Sequence, residues 1–311
     1  MFYDDEEDKM KNKILSAVLA TAMAVTLLVG CGNGDDKKEA DASVAAEDTS
    51  AKDTAQGSEE SSDKGEEDDQ SLEYIKSEGK FIFGFDEAFP PMGFTDEDQN
   101  HVGFDIDVAK EVTKRMGVEL ELRPISWKAK ETELSAKNID CIWNGLSINE
   151  ERKEQLTLSD PYMLNRQVIV TLADSDIETL DDLAGKKVVL QNGSTAQTAV
   201  DNNPNFKESI GDLTQVEDNI QAMMDLKIGG SDAVVMDEVV AKYYMELEPN
   251  KGQYKLLDET LSDEEYAIGF RKGEVALANE INKILKEMKE DGSLAKISND
   301  WFGEDITIVN Q

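Results

Sequence analysis

Arg152 follows the turn Ser147-Ile148-Asn149-Glu150-Glu151, which reads as the start of a helix with Asn149 as its N-cap. A guanidinium fork there suits bidentate recognition of a carboxylate. The plainer alternative is a surface arginine offsetting Glu150 or Glu151. Gly193, Ser194 and Thr195 open a second helix, whose free N–H groups and positive dipole end favour an anion, although simple capping is the commoner use. Asp86 and Asp237 each end a strand-like run, where a carboxylate pairs with an ammonium group or merely caps a turn. Phe89 and Trp127 stack on a flat or aliphatic group, or fill a core. Together these residues supply a carboxylate site, an ammonium site and an aromatic wall, the complement of an α-amino acid.

The common catalytic constellations are hard to build from this chain. A single histidine, His101, removes histidine-based triads and multi-histidine metal sites. Gly193-Ser194 lacks the G-x-S-x-G frame of a nucleophile elbow and has no base. The cysteines, Cys31 and Cys141, cannot make a zinc framework, and their settings do not look like a disulfide pair. Cys141 reads as a buried, inert thiol, Trp143 as part of an apolar strand, and His101 as a turn residue. No catalytic residue, metal or cofactor is expected. The 32 Lys+Arg against 67 Asp+Glu give a formal net charge of −35, which repels phosphate and rules against nucleic acid as a partner.

Positioning these groups falls to 311 residues, 39% of them hydrophobic, which suits one large domain or two small ones joined closely. Phe81 to Phe85 is an apolar run consistent with a buried strand. Ile106, Ala109, Val112 and Met116 share one helical face, closed by Gly117, and Val118, Leu120 and Leu122 then alternate with polar residues as a strand. Asp140 to Gly145 is another buried strand. The pattern restarts with a strand at 186–191, a helix after Gly193, a helix at 220–228 and a strand at 231–237. An amphipathic helix over 274–288 follows, closed by Gly292. Alternating strands and helices imply parallel crossovers and an α/β sheet. In such sheets ligands bind beyond the carboxyl ends of strands, the address shared by Asp86, Asn144, Gln191 and Asp237.

The N-terminal end reads as an address. Lys11 and Lys13 precede an apolar run from Ile14 to Val29, which describes a secretory signal and falls short of the ~20 residues a spanning helix needs. Leu28-Val29-Gly30-Cys31 resembles the bacterial lipoprotein processing box; that resemblance implies a lipidated Cys31 anchored in the membrane by more than one acyl chain. An ordinary signal peptide or a marginal anchor is the alternative. The five acids among Met1 to Lys9 suit a signal poorly, and Met10 would make a better start. Residues 1–30 are thus an extension plus signal, and 31–71 the lipidated cysteine and a tether. Residues 35–70 hold 14 acids and 4 lysines with no aromatic residue, too little apolar surface to order the segment.

The remainder becomes familiar when its motifs are taken in order. Gly84-Phe85-Asp86-Glu87-Ala88-Phe89-Pro90-Pro91-Met92-Gly93-Phe94, then Gly103-Phe104-Asp105-Ile106-Asp107, resembles the opening of the polar amino-acid-binding proteins of ABC importers, the family 3 solute-binding proteins. Trp143-Asn144-Gly145-Leu146-Ser147-Ile148-Asn149-Glu150-Glu151-Arg152, Gln191-Asn192-Gly193-Ser194-Thr195 and Asp232 to Asp237 continue the match, as does the ending through Trp301-Phe302-Gly303. The resemblance implies a two-lobed clamp of the periplasmic-binding type. Each lobe is a mixed, mostly parallel sheet flanked by helices: 72–166 plus 264–311, and 167–263, joined by two hinge segments. It further implies that Arg152, with the N–H groups of Ser147 and Thr195, binds the ligand carboxylate. Asp237, the Ser147 hydroxyl and the Gly145 carbonyl would hold the α-ammonium. Asp86, Phe89 and Trp127 would line the side-chain pocket, closed by Gln191 and Met236, with Ser194 at the same helix start. The chain departs from the family's usual pattern at Asn149 and Asn144, and Asn144 becomes a candidate for the ligand side chain.

The implied partners are a free amino acid, the permease subunits of an ABC importer and the membrane through Cys31, for a monomer on the extracytoplasmic face. Asp86 leans the specificity to a polar neutral or basic amino acid, and the lack of a second pocket arginine disfavours an acidic one. An enzyme similar to the cyclohexadienyl dehydratases is the main alternative, with Glu87 as the spare carboxylate, and a sensory or adhesive surface lipoprotein is the other. Asp237 with Ser147, an intact ammonium site, argues for binding over turnover.

Overall fold

The computed structural model describes residues 69–310. The N-terminal extension, the signal, lipidation at Cys31 and nearly all of the acidic tether lie outside the described residues. The tether's last residues do not fit its composition: Asp69 accepts from the backbone of Ser71 at 3.0 Å and of Ala276 at 2.6 Å, so the folded body begins ahead of Leu72.

Helix α1 (Ser71–Glu78) and strand β1 (Lys80–Phe85) open the body, followed by a small antiparallel sheet of β2 (Ala88–Phe89), β3 (Gly93–Thr95) and β4 (His101–Val102). Helix α2 (Phe104–Met116) crosses to β5 (Glu119–Pro124), and a 3-10 turn (Trp127–Ala129) with α3 (Lys130–Ser135) leads to β6 (Cys141–Ser147). The short α4 (Glu150–Gln155) and β7 (Leu156–Leu158) precede the long β8 (Met163–Leu172). Then come β9 (Lys187–Gln191), α5 (Thr195–Asp201), α6 (Pro204–Ser209), β10 (Asp212–Val216), α7 (Asn219–Lys227), β11 (Ala233–Asp237) and α8 (Glu238–Glu246). The chain returns through β12 (Tyr254–Arg271) and ends in α9 (Val275–Glu290) and α10 (Ser293–Phe302).

Local sequence explains most of these elements. In α2 the face made by Ile106, Ala109, Val112 and Met116 is buried, acids occupy its first turn and Lys114 and Arg115 its last, and Gly117 caps it at φ +76. In α9, Ala278, Ile281, Leu285 and Met288 are buried on one side, as their spacing requires.

The strands form one sheet in the order β10-β9-β11-β8-β12-β6-β1-β5, with β7 beside β12. Strand β1 is parallel to β5 and β6, and β9 is parallel to β10 and β11, which are the expected crossovers. The middle of the sheet is antiparallel: β8 pairs with β11 and β12, and β12 pairs with β6. The fold is therefore α/β, with a mixed sheet flanked by helices. Within the sheet, its first half (β5, β1, β6) and second half (β11, β9, β10) are joined through the crossing strands β8 and β12. Apolar clusters fill each half, one around Leu134, Ile139 and Leu146, another around Leu183, Val188 and Val235, and a larger one under the rest.

Cys141 is fully buried and its thiol is pushed well up by that burial, while Trp143 packs on Phe83 with ring centroids 5.6 Å apart. His101 is not in a turn: it pairs with Thr95 across β3 and β4, and the turn lies just before it, at Gln99 with φ +64.

Candidate functional site

The first half delivers its groups at the carboxyl end of β6. Asn149 caps α4, its side chain accepting from the Arg152 N–H at 2.8 Å, as its residue type predicts. That cap turns Arg152 inward. Its guanidinium donates through Nη1 to the Ser147 carbonyl at 2.6 Å, and only 6% of the residue is exposed, so the surface-arginine alternative falls. Burial lowers its pKa, opposed by the charges of Glu131, Glu264 and Asp237. Gly145 adopts φ +59, and a Cβ there would meet Phe89 at 2.8 Å and Tyr266 at 3.1 Å, so glycine is required for both reasons. Its N–H donates to Asp105 Oδ2 at 2.9 Å, which also takes the Tyr162 hydroxyl at 3.0 Å. Burial raises that Asp105 carboxyl to about 7.

The second half supplies Asp237, the last residue of β11, directly opposite Gln167 of β8. Its Oδ1 accepts from Asn165 Nδ2 at 2.6 Å, Gln167 Nε2 at 3.0 Å and the Tyr266 hydroxyl at 2.7 Å. Burial, then the charge of Glu264, raises this carboxyl to about 7 against those three donors. Thr195, the first residue of α5, brings its Oγ1 to 3.1 Å from Ser147 Oγ, so the two halves touch here. Ser194 does something plainer: its hydroxyl donates to the Gln191 carbonyl at 2.7 Å and accepts from Gln197 N–H, capping α5.

The remaining sequence candidates gather nearby, except Met236, which the resemblance placed as closing the pocket. Gln191 Nε2 donates across the halves to Asp86 Oδ2 at 2.6 Å, and burial raises the Asp86 carboxyl to about 6. Asn144 supports the same turn, its Oδ1 accepting from the Asp86 N–H at 3.1 Å. The rings of Phe89 and Trp127 lie nearly parallel, 7° between planes and 6.5 Å between centroids. Met236 is fully buried in the apolar core, on the face of β11 opposite Asp237.

Sequence reading missed five residues. Asn165 and Gln167 of β8, and Glu264 and Tyr266 of β12, complete the Asp237 network, and Glu264 corrects the view that Glu87 is the spare carboxylate. Glu87 is exposed and accepts from the Thr95 hydroxyl at 3.1 Å. The fifth is Lys130, buried in α3, whose Nζ donates to the Gly193 carbonyl of the other half at 3.0 Å and lies 5.0 Å from the Trp127 ring. Burial, then the Arg152 charge, lowers its pKa to about 8. The alternation Asn165-Arg166-Gln167 was the one available signal, two amides on one face of a strand. A groove of about 550 Å³, lined by Val239, Tyr243, Trp301 and Phe302, shares only Asn165 with this set. Among the described residues no group of three or more His, Cys, Asp or Glu is placed to hold a metal ion, and no helix is long and apolar enough to cross a membrane.

The chain's likeness to known proteins runs through all of these residues. The family described as bacterial extracellular solute-binding proteins, family 3, matches residues 81–304. The L-cystine-binding protein TcyA of Bacillus subtilis is 30% identical over 301 residues, 96% of this chain and 100% of its own length. An ABC uptake transporter substrate-binding protein from Streptococcus pneumoniae, solved with bound histidine, superposes with a TM-score of 0.75 at 36% identity, covering 77% of this chain and 98% of that one. An ancestral amino acid-binding protein, AncCDT-1, described as a precursor of cyclohexadienyl dehydratase, gives a TM-score of 0.68 at 32% identity, over 75% of this chain and 99% of that one.

Proposed function

The chain belongs to the bacterial extracellular solute-binding proteins, family 3, and from that premise we propose that it captures a free polar amino acid, neutral or basic, and delivers it to the permease subunits of an ABC importer. The observation that carries this reading is the meeting of opposite charges in one buried place. Arg152 from the first half lies within the fields of Asp237, from the second half, and of Glu264 on the crossing strand β12. A zwitterion answers both charges at once. Its carboxylate goes to the Arg152 fork with the backbone N–H groups of Ser147 and Thr195, and its ammonium to Asp237, the Ser147 hydroxyl and the Gly145 carbonyl. All three donors named above take Asp237 Oδ1, which leaves Oδ2 to the ligand. Asp86, Phe89 and Trp127 form the side-chain pocket, and a carboxylate beside two parallel rings favours a cation or a polar amide.

Closure is a hinge motion about β8 and β12. The lobe boundaries, 166/167 and 263/264, face each other in the ladder, where Arg166 pairs with Asp263 and Asn165 with Glu264. Each half alone supplies only part of the contacts to either end of the zwitterion, so ligand favours the closed state by its differential affinity. Binding rather than turnover is supported by relatives such as TcyA, which are binding proteins, and by the commitment of Asp237 and Glu264 to the amides of Asn165 and Gln167. Anchoring through a lipidated Cys31 would keep the monomer on the extracytoplasmic face of the cell membrane, near its permease.

Isothermal titration calorimetry of the purified protein against the common amino acids and L-cystine tests this. At least one is expected to bind with a dissociation constant of about 1 μM or tighter, roughly −8 kcal/mol. No heat and no thermal shift with any of them would refute it, and turnover of a cyclohexadienyl substrate would replace it with the enzyme reading.

A further inference from the structure

We propose that Glu264 is a positioning residue for amino-group recognition: it takes the hydroxyl protons of Ser147 and Thr195 and so presents the Ser147 oxygen as an acceptor to the ligand's ammonium. This rests on the amino-acid reading above and adds to it a residue outside the motifs that carry the family resemblance.

Glu264 sits on β12 directly opposite Asn165 of β8. Its Oε2 lies 2.7 Å from Ser147 Oγ and 3.2 Å from Thr195 Oγ1, and accepts from Gln167 Nε2 at 3.0 Å and Asn165 Nδ2 at 3.1 Å. One oxygen therefore gathers groups from the first half, the second half and the crossing strand. The two amide nitrogens that reach it also reach Asp237 Oδ1, so the carboxylates of Glu264 and Asp237 share a pair of donors.

Proton counting gives the consequence. A serine hydroxyl has one proton and two lone pairs, and an ionised carboxylate only accepts. With its proton committed to Glu264, the Ser147 hydroxyl cannot donate to Thr195 or to a ligand, and it keeps lone pairs to offer. Thr195 Oγ1 is similarly fixed, accepting from Gln167 Nε2 at 3.2 Å. An ammonium group brings three donors and no acceptor. It meets Asp237 Oδ2, Ser147 Oγ and the Gly145 carbonyl, all accepting. Without Glu264 the Ser147 proton is free to rotate toward the ligand, which penalises an ammonium and suits a hydroxyl.

The test compares an amino acid with its 2-hydroxy analogue, first on the unaltered protein and then on Glu264→Met and Glu264→Gln. The tightest binder among L-histidine, L-arginine, L-glutamine and L-cystine serves as the probe. Glu264→Met is expected to lose about tenfold or more of the preference for the amino acid while binding the hydroxy acid nearly as before, with Glu264→Gln between the two. Equal weakening of both ligands would assign Glu264 a purely structural role and overturn the proposal, as would an unchanged preference. Hydroxy-acid binding by the variants shows that they are folded. Failure of every amino acid to bind the unaltered protein would sink the amino-acid reading first, and this inference with it.

Discussion

The two poles of the site are built differently. The positive pole is one guanidinium, carried on a six-residue helix and oriented by a cap two turns of logic away: Asn149 fixes α4, and α4 fixes Arg152. Its protein hydrogen bond among the described residues goes to the Ser147 carbonyl, so much of its donor fork remains for a ligand. The negative pole is a network in which Asp237 and Glu264 share the amides of Asn165 and Gln167, with Tyr266 adding a hydroxyl. A pole made of one residue can be destroyed by one substitution. A networked pole resists, because its members hold one another, yet it stores the cost of burying a carboxylate and, after that, of two like charges close together, which is why Asp237 is raised to about 7.

Substitutions at the two poles should therefore differ in kind. Arg152→Ala is expected to weaken amino-acid binding by about 100-fold or more, the worth of a buried bidentate charged contact, with no gain in stability. Asp237→Asn should weaken binding by about tenfold or more and yet stabilise the ligand-free protein. The sign follows from linkage. A carboxyl whose folded pKa is about 7, against an ordinary 3.8, contributes stability that is complete below pH 3.8 and is lost as pH rises through 7. Asparagine escapes that loss, so the variant should melt higher than the parent at pH 8, with the difference fading toward pH 4. Thermal unfolding across that range checks it; a lower melting temperature at pH 8 would break the contrast between the poles.

Titration gives a gentler test. Ammonium binding needs Asp237 ionised, so affinity should fall by about tenfold per pH unit below 7, with proton release on binding visible in buffers of different ionisation enthalpy. Asp86, raised to about 6, adds a second loss at lower pH for a cationic ligand. Affinity flat from pH 8 to 5.5 would place the ammonium elsewhere. The smallest effect is expected at Lys130, which contacts the Gly193 carbonyl across the halves without belonging to either pole. Lys130→Met should weaken binding only about two- to fivefold, through a less favoured closed state, as read by calorimetry and small-angle scattering.

The poles also differ in how far the sequence revealed them. Arg152 was legible because its cue is local: a cap residue three positions ahead and a helix to carry it. The same holds for the α2 face and the strand at 81–85, whose periods are complete within one element. The network around Asp237 was not legible, since Asn165 and Gln167 gain their meaning only when β8 is laid against β12, 97 to 99 residues further on. Nothing in Asp263-Glu264-Glu265 marks the middle acid; the strand alternation turns it inward and leaves its neighbours exposed. Ser194 went the other way. Its position at a helix start suggested a ligand contact, and its hydroxyl instead caps the helix, the commoner use of that residue type.

The most direct measurement is a crystal structure of the protein with its tightest-binding amino acid. The ligand carboxylate is expected forked on Arg152 and the α-ammonium on Asp237 Oδ2, with Glu264 still holding the Ser147 hydroxyl. A ligand turned end for end, or one seated in the groove beside Tyr243 and Trp301, would contradict that arrangement.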